Sequence, residues 1–103
     1  MTRLIANAEA LAGLLGRIAG ASWVALDTEF TRTRTYYARL ALVQLRVGED
    51  IACIDPLAFD IGPLLDFLYR PDMLKIVHAG RQDLEVFYDL RGDVPRPVFD
   101  TQI

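Results

Sequence analysis

Apolar and polar positions along the chain follow two periods, one typical of buried strands and one typical of amphipathic helices. Short apolar runs predict strands at residues 4–6, 23–27, 40–47, 51–54 and 74–77, and another strand begins at residues 98–99. Apolar residues at helical spacing predict three helices, which run from a cap at Asn7 to Gly20, from Ile61 to Leu68, and from Gly80 to about Asp89. Turn-forming residues at 48–50, 55–56 and 71–72 separate these elements.

The order of these elements favours an α/β fold built on a mixed sheet. The strands at 23–27, 40–47 and 51–54 follow one another and predict an antiparallel meander. A helix, the strand at 74–77, a second helix and the beginning of another strand come next. Right-handed crossovers would then pack helices on the faces of the sheet. Residues 100–103 have the form of a helix cap and a first turn.

Composition supports a folded domain and excludes several classes of protein. The chain has 103 residues, of which 52% are hydrophobic and 24% charged, so a single small core is expected and disorder is not. No apolar run reaches the roughly 18–20 residues of a membrane-spanning helix. Cys53 is the only cysteine, which excludes an internal disulfide and a zinc site built on several thiolates. Glu9 and Arg17 interrupt the apolar stretch near the N-terminus, so we expect a cytoplasmic protein without a secretory signal.

One short segment is strongly basic, although the formal net charge of the whole chain is −3. It contains Arg32, Arg34 and Arg39 with Tyr36 and Tyr37 between them, and it contains no acid. Cations interleaved with aromatic rings suit single-stranded nucleic acid, because they can contact phosphates and stack on bases. A solvated basic loop is the alternative, and composition alone favours that alternative.

Three carboxylates are candidate metal ligands. Asp27 and Glu29 lie two residues apart at the end of a predicted strand, so their side chains share one face. Asp83 lies in the first turn of the predicted helix after residues 74–77, where the helix dipole favours a negative charge. If the strands at 23–27 and 74–77 are neighbours, all three carboxylates meet at one edge of the sheet. Taken singly, the Asp-x-Glu pair is better explained as an exposed strand end, and Asp83 by helix-start electrostatics.

Such a cluster suits phosphodiester hydrolysis. Carboxylates held close together repel one another unless a cation lies between them, and oxygen ligands favour Mg²⁺ or Mn²⁺. Two divalent ions about 4 Å apart can activate an attacking water and stabilise the leaving 3′ oxygen. Holding both ions takes three or four convergent carboxylates.

Two segments resemble the sequence motifs of the ribonuclease D family of 3′→5′ exonucleases. Residues 25–30, Ala-Leu-Asp-Thr-Glu-Phe, continuing through the basic segment to residues 42–45, are similar to the first motif. Residues 78–87, His-Ala-Gly-Arg-Gln-Asp-Leu-Glu-Val-Phe, are similar to the second motif. Residues 55–57 and 99–103 resemble the stretches expected between and after them. The resemblance covers essentially the whole chain in the right order.

The resemblance implies a DEDD-type exonuclease with a ribonuclease-H-like fold, in which an antiparallel three-strand meander forms part of a mixed sheet with flanking helices. It implies that Asp27, Glu29 and Asp83 are the catalytic residues and bind two divalent ions, Mg²⁺ or Mn²⁺. It also implies a set of residues close to the 3′-terminal nucleotide of the substrate, namely Thr28, Phe30, His78 and Val86. An ordinary structural role stays open for His78 and Phe30.

The family's third motif, a Tyr-x-x-x-Asp segment on a later helix, is not found in these 103 residues. In the family, its tyrosine positions the attacking water and its aspartate completes the metal site. The resemblance therefore implies a partial exonuclease domain over residues 1–103, truncated before the last helices and inactive or weak by itself.

Three hypotheses about function are compatible with the sequence. The first is 3′→5′ hydrolysis of single-stranded RNA from its 3′ end, with tRNA precursors as substrates by family analogy. The second is a noncatalytic nucleic-acid-binding or scaffolding module of the same fold. The third is a DNA exonuclease, because catalytic residues that contact phosphates and metals do not distinguish the sugar. The preferred metal and the oligomeric state are not predicted.

Overall fold

The computed structural model describes residues 2–32, 38–78 and 80–102, without the side chains of residues 31, 32, 38, 39 and 82. The side chains of the basic segment, Arg32 to Arg39, therefore lie outside the described residues. No helix in the described ranges has the length and apolar character needed to cross a membrane.

Over the described residues, the fold has six strands and three helices. The strands are β1 (Thr2–Ile5), β2 (Trp23–Arg32), β3 (Ala38–Val47), β4 (Asp50–Ile54), β5 (Leu74–Val77) and β6 (Val98–Asp100). The helices are α1 (Ala8–Ile18), α2 (Gly62–Leu68) and α3 (Arg81–Arg91). Each element predicted from the hydrophobic pattern is confirmed. Strand β2 extends five residues beyond its predicted end at Leu26-Asp27, because backbone pairing with β3 continues through polar residues.

The strands form a single sheet in the order β1-β4-β3-β2-β5-β6. Strands β2, β3 and β4 form the predicted antiparallel meander. Strand β5 lies parallel to β2, with Ala25 opposite Ile76, so the condition for bringing the three carboxylates to one edge of the sheet is met. Strand β6 extends the sheet beside β5, and β1 lies parallel to β4 at the opposite edge. This arrangement confirms the mixed α/β sheet.

One face of the sheet forms the core together with the helices. On β2, Val24, Leu26 and Thr28 are buried, whereas Trp23 and Asp27 on the alternate positions are exposed. Each helix contributes apolar side chains to the same core cluster, including Leu11, Leu14, Leu64, Leu68, Val86 and Phe87. The outward residues of β2 therefore remain available for chemistry while the inward residues hold the fold together.

The helices begin in different ways. Helix α1 follows Asn7, whose Oδ1 accepts a hydrogen bond from the backbone N–H of Ala10 at 2.8 Å, which confirms the predicted cap. Helix α3 follows Gly80, which has no side chain for capping. A group from elsewhere in the fold must therefore satisfy the start of α3.

Candidate metal centre

Asp27 and Glu29 occupy the outer positions of β2, on either side of the buried Thr28. Both carboxylates are exposed. The pairing between β2 and β3 shifts register immediately after Glu29, which lies opposite Leu42, whereas Phe30 lies opposite Leu40. Irregularities of this kind bend a strand and re-aim its side chains, and they occur often beside active sites. The two carboxylates therefore share a face where the sheet departs from regular pairing.

Asp83 lies in the first turn of α3 and is only 7% exposed. The hydroxyl of Thr28 donates a hydrogen bond to its Oδ1. This contact joins the start of α3 to the residue of β2 that lies between Asp27 and Glu29. The structure therefore brings the predicted carboxylate of the second motif to the strand that bears the other two.

The surroundings of Asp83 disfavour its ionised form. Burial raises the pKa of Asp83 above its ordinary value of 3.8, and hydrogen bonding by Thr28 opposes this rise. The negative charges of Asp27 and Asp100 raise the pKa of Asp83 further. A cation placed among these groups would relieve their repulsion.

Replacing Asp83 by asparagine is expected to stabilise the metal-free chain at neutral pH by about 1 kcal/mol, the usual scale of a single substitution. Because the folded-state pKa of Asp83 is raised, its protonated form supports folding, and that contribution is lost as pH rises through the folded-state pKa. Urea denaturation of both proteins from about pH 4.5 to about pH 7.5 measures the difference, which should shrink towards acid. A difference that is constant with pH would show that the charge of Asp83 is not its source. Glu85→Gln, on the exposed side of α3, is the control.

Asp100 is a member of this neighbourhood that the sequence did not indicate as a site residue. One of its carboxylate oxygens, Oδ2, accepts the backbone N–H of Gly80 at 2.9 Å. The other, Oδ1, accepts the N–H of Gln102 at 2.9 Å. Asp100 on β6 thus supplies the partner that the start of α3 lacks within its own helix, and it fixes the position of the turn that leads to Asp83.

The turn before α3 packs closely against β5 at Gly80. A Cβ atom added at Gly80 would lie 2.9 Å from the Cβ of Val77 and closer still to its Cγ2. Those distances are shorter than van der Waals contact allows, so any larger residue at Gly80 would push α3 away from the sheet.

We therefore expect Gly80→Ala to lower the free energy of unfolding by about 1–3 kcal/mol, the usual cost of overpacking. Gly16→Ala is the matched control, because a methyl group there meets no heavy atom within 4 Å and lies within α1. That control should instead gain about 0.5–1 kcal/mol, since alanine favours helix over glycine. Urea denaturation measures both changes, and equal effects at the two positions would contradict the close packing at Gly80.

Asp27 and His78 line one cavity on the outer face of the sheet. Its volume is about 310 Å³, and Gln44, Arg46 and Thr101 also contribute to its wall. The exposed His78 has its Nδ1 2.9 Å from the Oγ1 of Thr101. The structure therefore places the predicted substrate residue His78 beside the same space as the predicted catalytic residue Asp27.

The other predicted substrate residues take part in packing. Phe30 is half-buried and packs against the core, and Val86 is 3% exposed within that core. The side chain of Thr28 is buried against Asp83. Contact of these three residues with a nucleotide therefore stays a prediction.

The donor atoms present suit a hard divalent cation, since carboxylate oxygens are the ligands that Mg²⁺ and Mn²⁺ prefer. Asp27 and Asp100 lie near enough to act on Asp83, and Glu29 shares a face of β2 with Asp27. Within the described ranges, however, no group of three or more His, Cys, Asp or Glu side chains is arranged to hold a metal ion. The chemistry of the donors fits the cation, and further convergence of the carboxylates is needed to bind it.

Comparisons with known proteins by sequence and by structure agree with one another. A family model described as 3′-5′ exonuclease matches residues 2–103. Ribonuclease D of Escherichia coli K12 is 48% identical over 102 residues, which are 98% of this chain and 27% of that protein. The crystal structure of E. coli RNase D, an exoribonuclease involved in structured RNA processing, superposes with a TM-score of 0.89 at 47% identity, covering 99% of this chain and 28% of that chain.

A more distant structure shares the fold. Trypanosoma brucei RNase D in complex with RNA U12 superposes with a TM-score of 0.81 at 24% identity, covering 99% of this chain and 38% of that chain. This chain thus spans about a quarter of the length of the E. coli relative, 27% of it.

Proposed function

Because the chain belongs to the 3′-5′ exonuclease family, we propose that it forms part of an enzyme that removes nucleotides from the 3′ ends of single-stranded RNA. Its similarity to ribonuclease D supports RNA as the substrate. The observation that carries the proposal is the hydrogen bond from Thr28 to Asp83, because it joins the two motifs at one place in the sheet. By family analogy, the protein acts on tRNA precursors in the cytoplasm.

In this proposal Asp27, Glu29 and Asp83 hold two Mg²⁺ or Mn²⁺ ions. When bound, such ions activate a water molecule and stabilise the leaving 3′ oxygen. Asp27 and Glu29 present their carboxylates outwards from β2, where a phosphate can approach them. The buried Asp83 at the start of α3 lies close enough to Asp27 to be repelled by its charge, and this repulsion favours the bound state of a cation over the empty one.

The terminal nucleotide would lie beside the same carboxylates. His78, whose Nδ1 is 2.9 Å from Thr101 Oγ1, has its ring orientation fixed beside the cavity that Asp27 also lines. Phe30 offers a half-buried ring next to Glu29. In the proposal these side chains contact the sugar or the base, with the backbone around Thr28 and the side chain of Val86 completing the subsite.

We propose further that residues 1–103 by themselves are inactive or only weakly active. They lack the Tyr-x-x-x-Asp motif, so neither the water-positioning tyrosine nor the fourth carboxylate is present in this sequence. Hydrolysis would then require a tyrosine and a fourth carboxylate in addition to Asp27, Glu29 and Asp83.

A chimera tests this function directly. In it, the 103 residues replace the matching 102 residues of E. coli ribonuclease D, which supplies the rest of the enzyme. With Mg²⁺ or Mn²⁺, the chimera should shorten a 5′-labelled single-stranded RNA stepwise and release nucleoside 5′-monophosphates. An RNA with a blocked 3′ hydroxyl should resist, because attack begins at that end. A folded chimera that binds RNA without shortening it would contradict the proposal.

That contrary result would favour a noncatalytic binding module. The observation in favour of this alternative is that no three carboxylates converge on a metal position among the described side chains. A DNA strand with the same base sequence as the RNA is tested in parallel. Shortening of the DNA strand in preference to the RNA would identify a deoxyribonuclease.

A further inference from the structure

Thr28 is buried at a position where the strand pattern favours an apolar residue. It follows Val24 and Leu26 on the inward face of β2 and is 8% exposed. Valine has nearly the same shape and suits a strand equally well, so packing does not explain the hydroxyl. Burying a hydroxyl costs free energy unless it is hydrogen-bonded. The hydroxyl of Thr28 meets that requirement by donating to Asp83.

The partner of this hydroxyl is a carboxylate that its neighbours repel. Asp27 and Asp100 both place negative charge close to Asp83, and burial removes the water that would otherwise screen them. Without a fixed donor, rotation of the Asp83 side chain away from Asp27 would lower this repulsion. The hydrogen bond to Oδ1 opposes that rotation, because turning the carboxylate would break it.

We propose that Thr28 is a positioning residue, which holds the carboxylate of Asp83 beside β2 in the orientation that a divalent cation shared with Asp27 requires. This inference rests on the proposed function. Thr28 lies between Asp27 and Glu29 in the sequence. The role proposed for its hydroxyl is separate from any contact with a nucleotide. Thr28 acts through Asp83 and does not itself touch the cation.

Groups that orient metal ligands typically change metal affinity by about 10–100-fold when they are removed. Thr28→Val keeps the shape of the side chain and removes the donor, so Mn²⁺ affinity should fall about tenfold or more. Thr28→Ser restores the hydroxyl and should bind Mn²⁺ within about twofold of the original chain, since the same hydrogen bond can form. Thr2→Val, at an exposed position on β1, makes the same chemical change far from Asp83 and should have no effect.

Two measurements on the 103-residue chain test the proposal. Titration calorimetry with Mn²⁺ gives the affinities of the four proteins. Three-bond NMR couplings of the Asp83 side chain, recorded without metal, report its rotamer directly. We expect one χ1 rotamer with Thr28 or serine and an averaged rotamer with valine. Should the valine variant fail to fold, Thr28→Ala compared with Thr28→Ser makes the same test.

The outcomes separate this inference from the function on which it rests. Equal Mn²⁺ affinity and an unchanged Asp83 rotamer in Thr28→Val would overturn the positioning role and leave the metal centre intact. Failure of the original chain to bind Mn²⁺ through Asp27 and Asp83 would overturn the positioning role, whereas RNA shortening by the chimera tests the proposed function separately. Weakened binding and an averaged rotamer in the valine variant, both restored by serine, would support the inference.

Discussion

Replacing Asp27 by asparagine is expected to slow RNA shortening by the chimera at least about a thousandfold, because loss of a metal ligand removes several kcal/mol of transition-state stabilisation. Asparagine keeps the size of the side chain but removes the charge that the proposed cations require. Asp27 is exposed on β2, so the substitution should leave the fold unchanged. Single-turnover rates with saturating Mg²⁺ measure the effect on the chemical step.

Asp89→Asn provides the matched control for this variant. It makes the same chemical change at an exposed position near the end of α3, six residues after Asp83. The control should keep its rate within about twofold, as surface substitutions away from a site usually do. Similar rates for the Asp27 variant and the control would show that Asp27 has no part in hydrolysis.

Truncation of Phe87 to alanine is expected to produce the largest loss of stability, about 3–5 kcal/mol. Phe87 is fully buried, and its ring meets that of Tyr69 edge to face with centroids 6.3 Å apart. The hydroxyl of Tyr69 also donates to the carbonyl of Phe87 at 3.1 Å. A loss of this size is a large part of the roughly 5–15 kcal/mol by which domains are stable.

Tyr88→Ala is the control, because it removes an aromatic ring from the same helix at an exposed position. Tyr88 is 58% exposed on the same helix, so its truncation should change the free energy of unfolding by less than about 1 kcal/mol. Urea denaturation followed by circular dichroism measures both variants. Losses of similar size at the two positions would contradict the core assigned to α3.

The hydrophobic pattern predicts most of the fold because burial on one face of a sheet or helix leaves a periodic trace in the sequence. The alternation of Val24, Leu26 and Thr28 with exposed residues illustrates this, and so does the capping residue Asn7. The parallel pairing of β2 with β5 is compatible with the crossover rule, but that rule does not determine which strands are neighbours.

Features that depend on contacts between distant residues have no such trace. The register shift after Glu29 arises from pairing with β3 and not from any local pattern. Lys75 lies in an apolar strand yet is fully buried, because its Nζ donates to the carbonyl oxygens of Arg70 and Arg96. From periodicity alone, such a lysine would be expected at the solvent-exposed surface.

The candidate site likewise combines features that the sequence indicates with features that only the folded chain reveals. The sequence indicates Asp27, Glu29 and Asp83 as candidates, through their residue types and the resemblance of their motifs. The bond between Thr28 and Asp83 joins residues 55 positions apart, and only the folded chain reveals it. Asp100, predicted as the start of a helix cap, also accepts the N–H of Gly80, because β6 pairs with β5. The environment of the carboxylates is therefore a product of topology.

Paramagnetic broadening by Mn²⁺ tests the central claim, a metal centre shared by β2 and α3, most directly. Small amounts of Mn²⁺ are added to the ¹⁵N-labelled chain, and the loss of each amide signal is followed by NMR. We predict that the signals of residues 26–29 and 83–84 broaden first, and that Asp27→Asn abolishes this selectivity. Broadening centred on other exposed acids, such as Asp60 and Asp66, or spread evenly over the surface, would contradict the assignment of a metal centre.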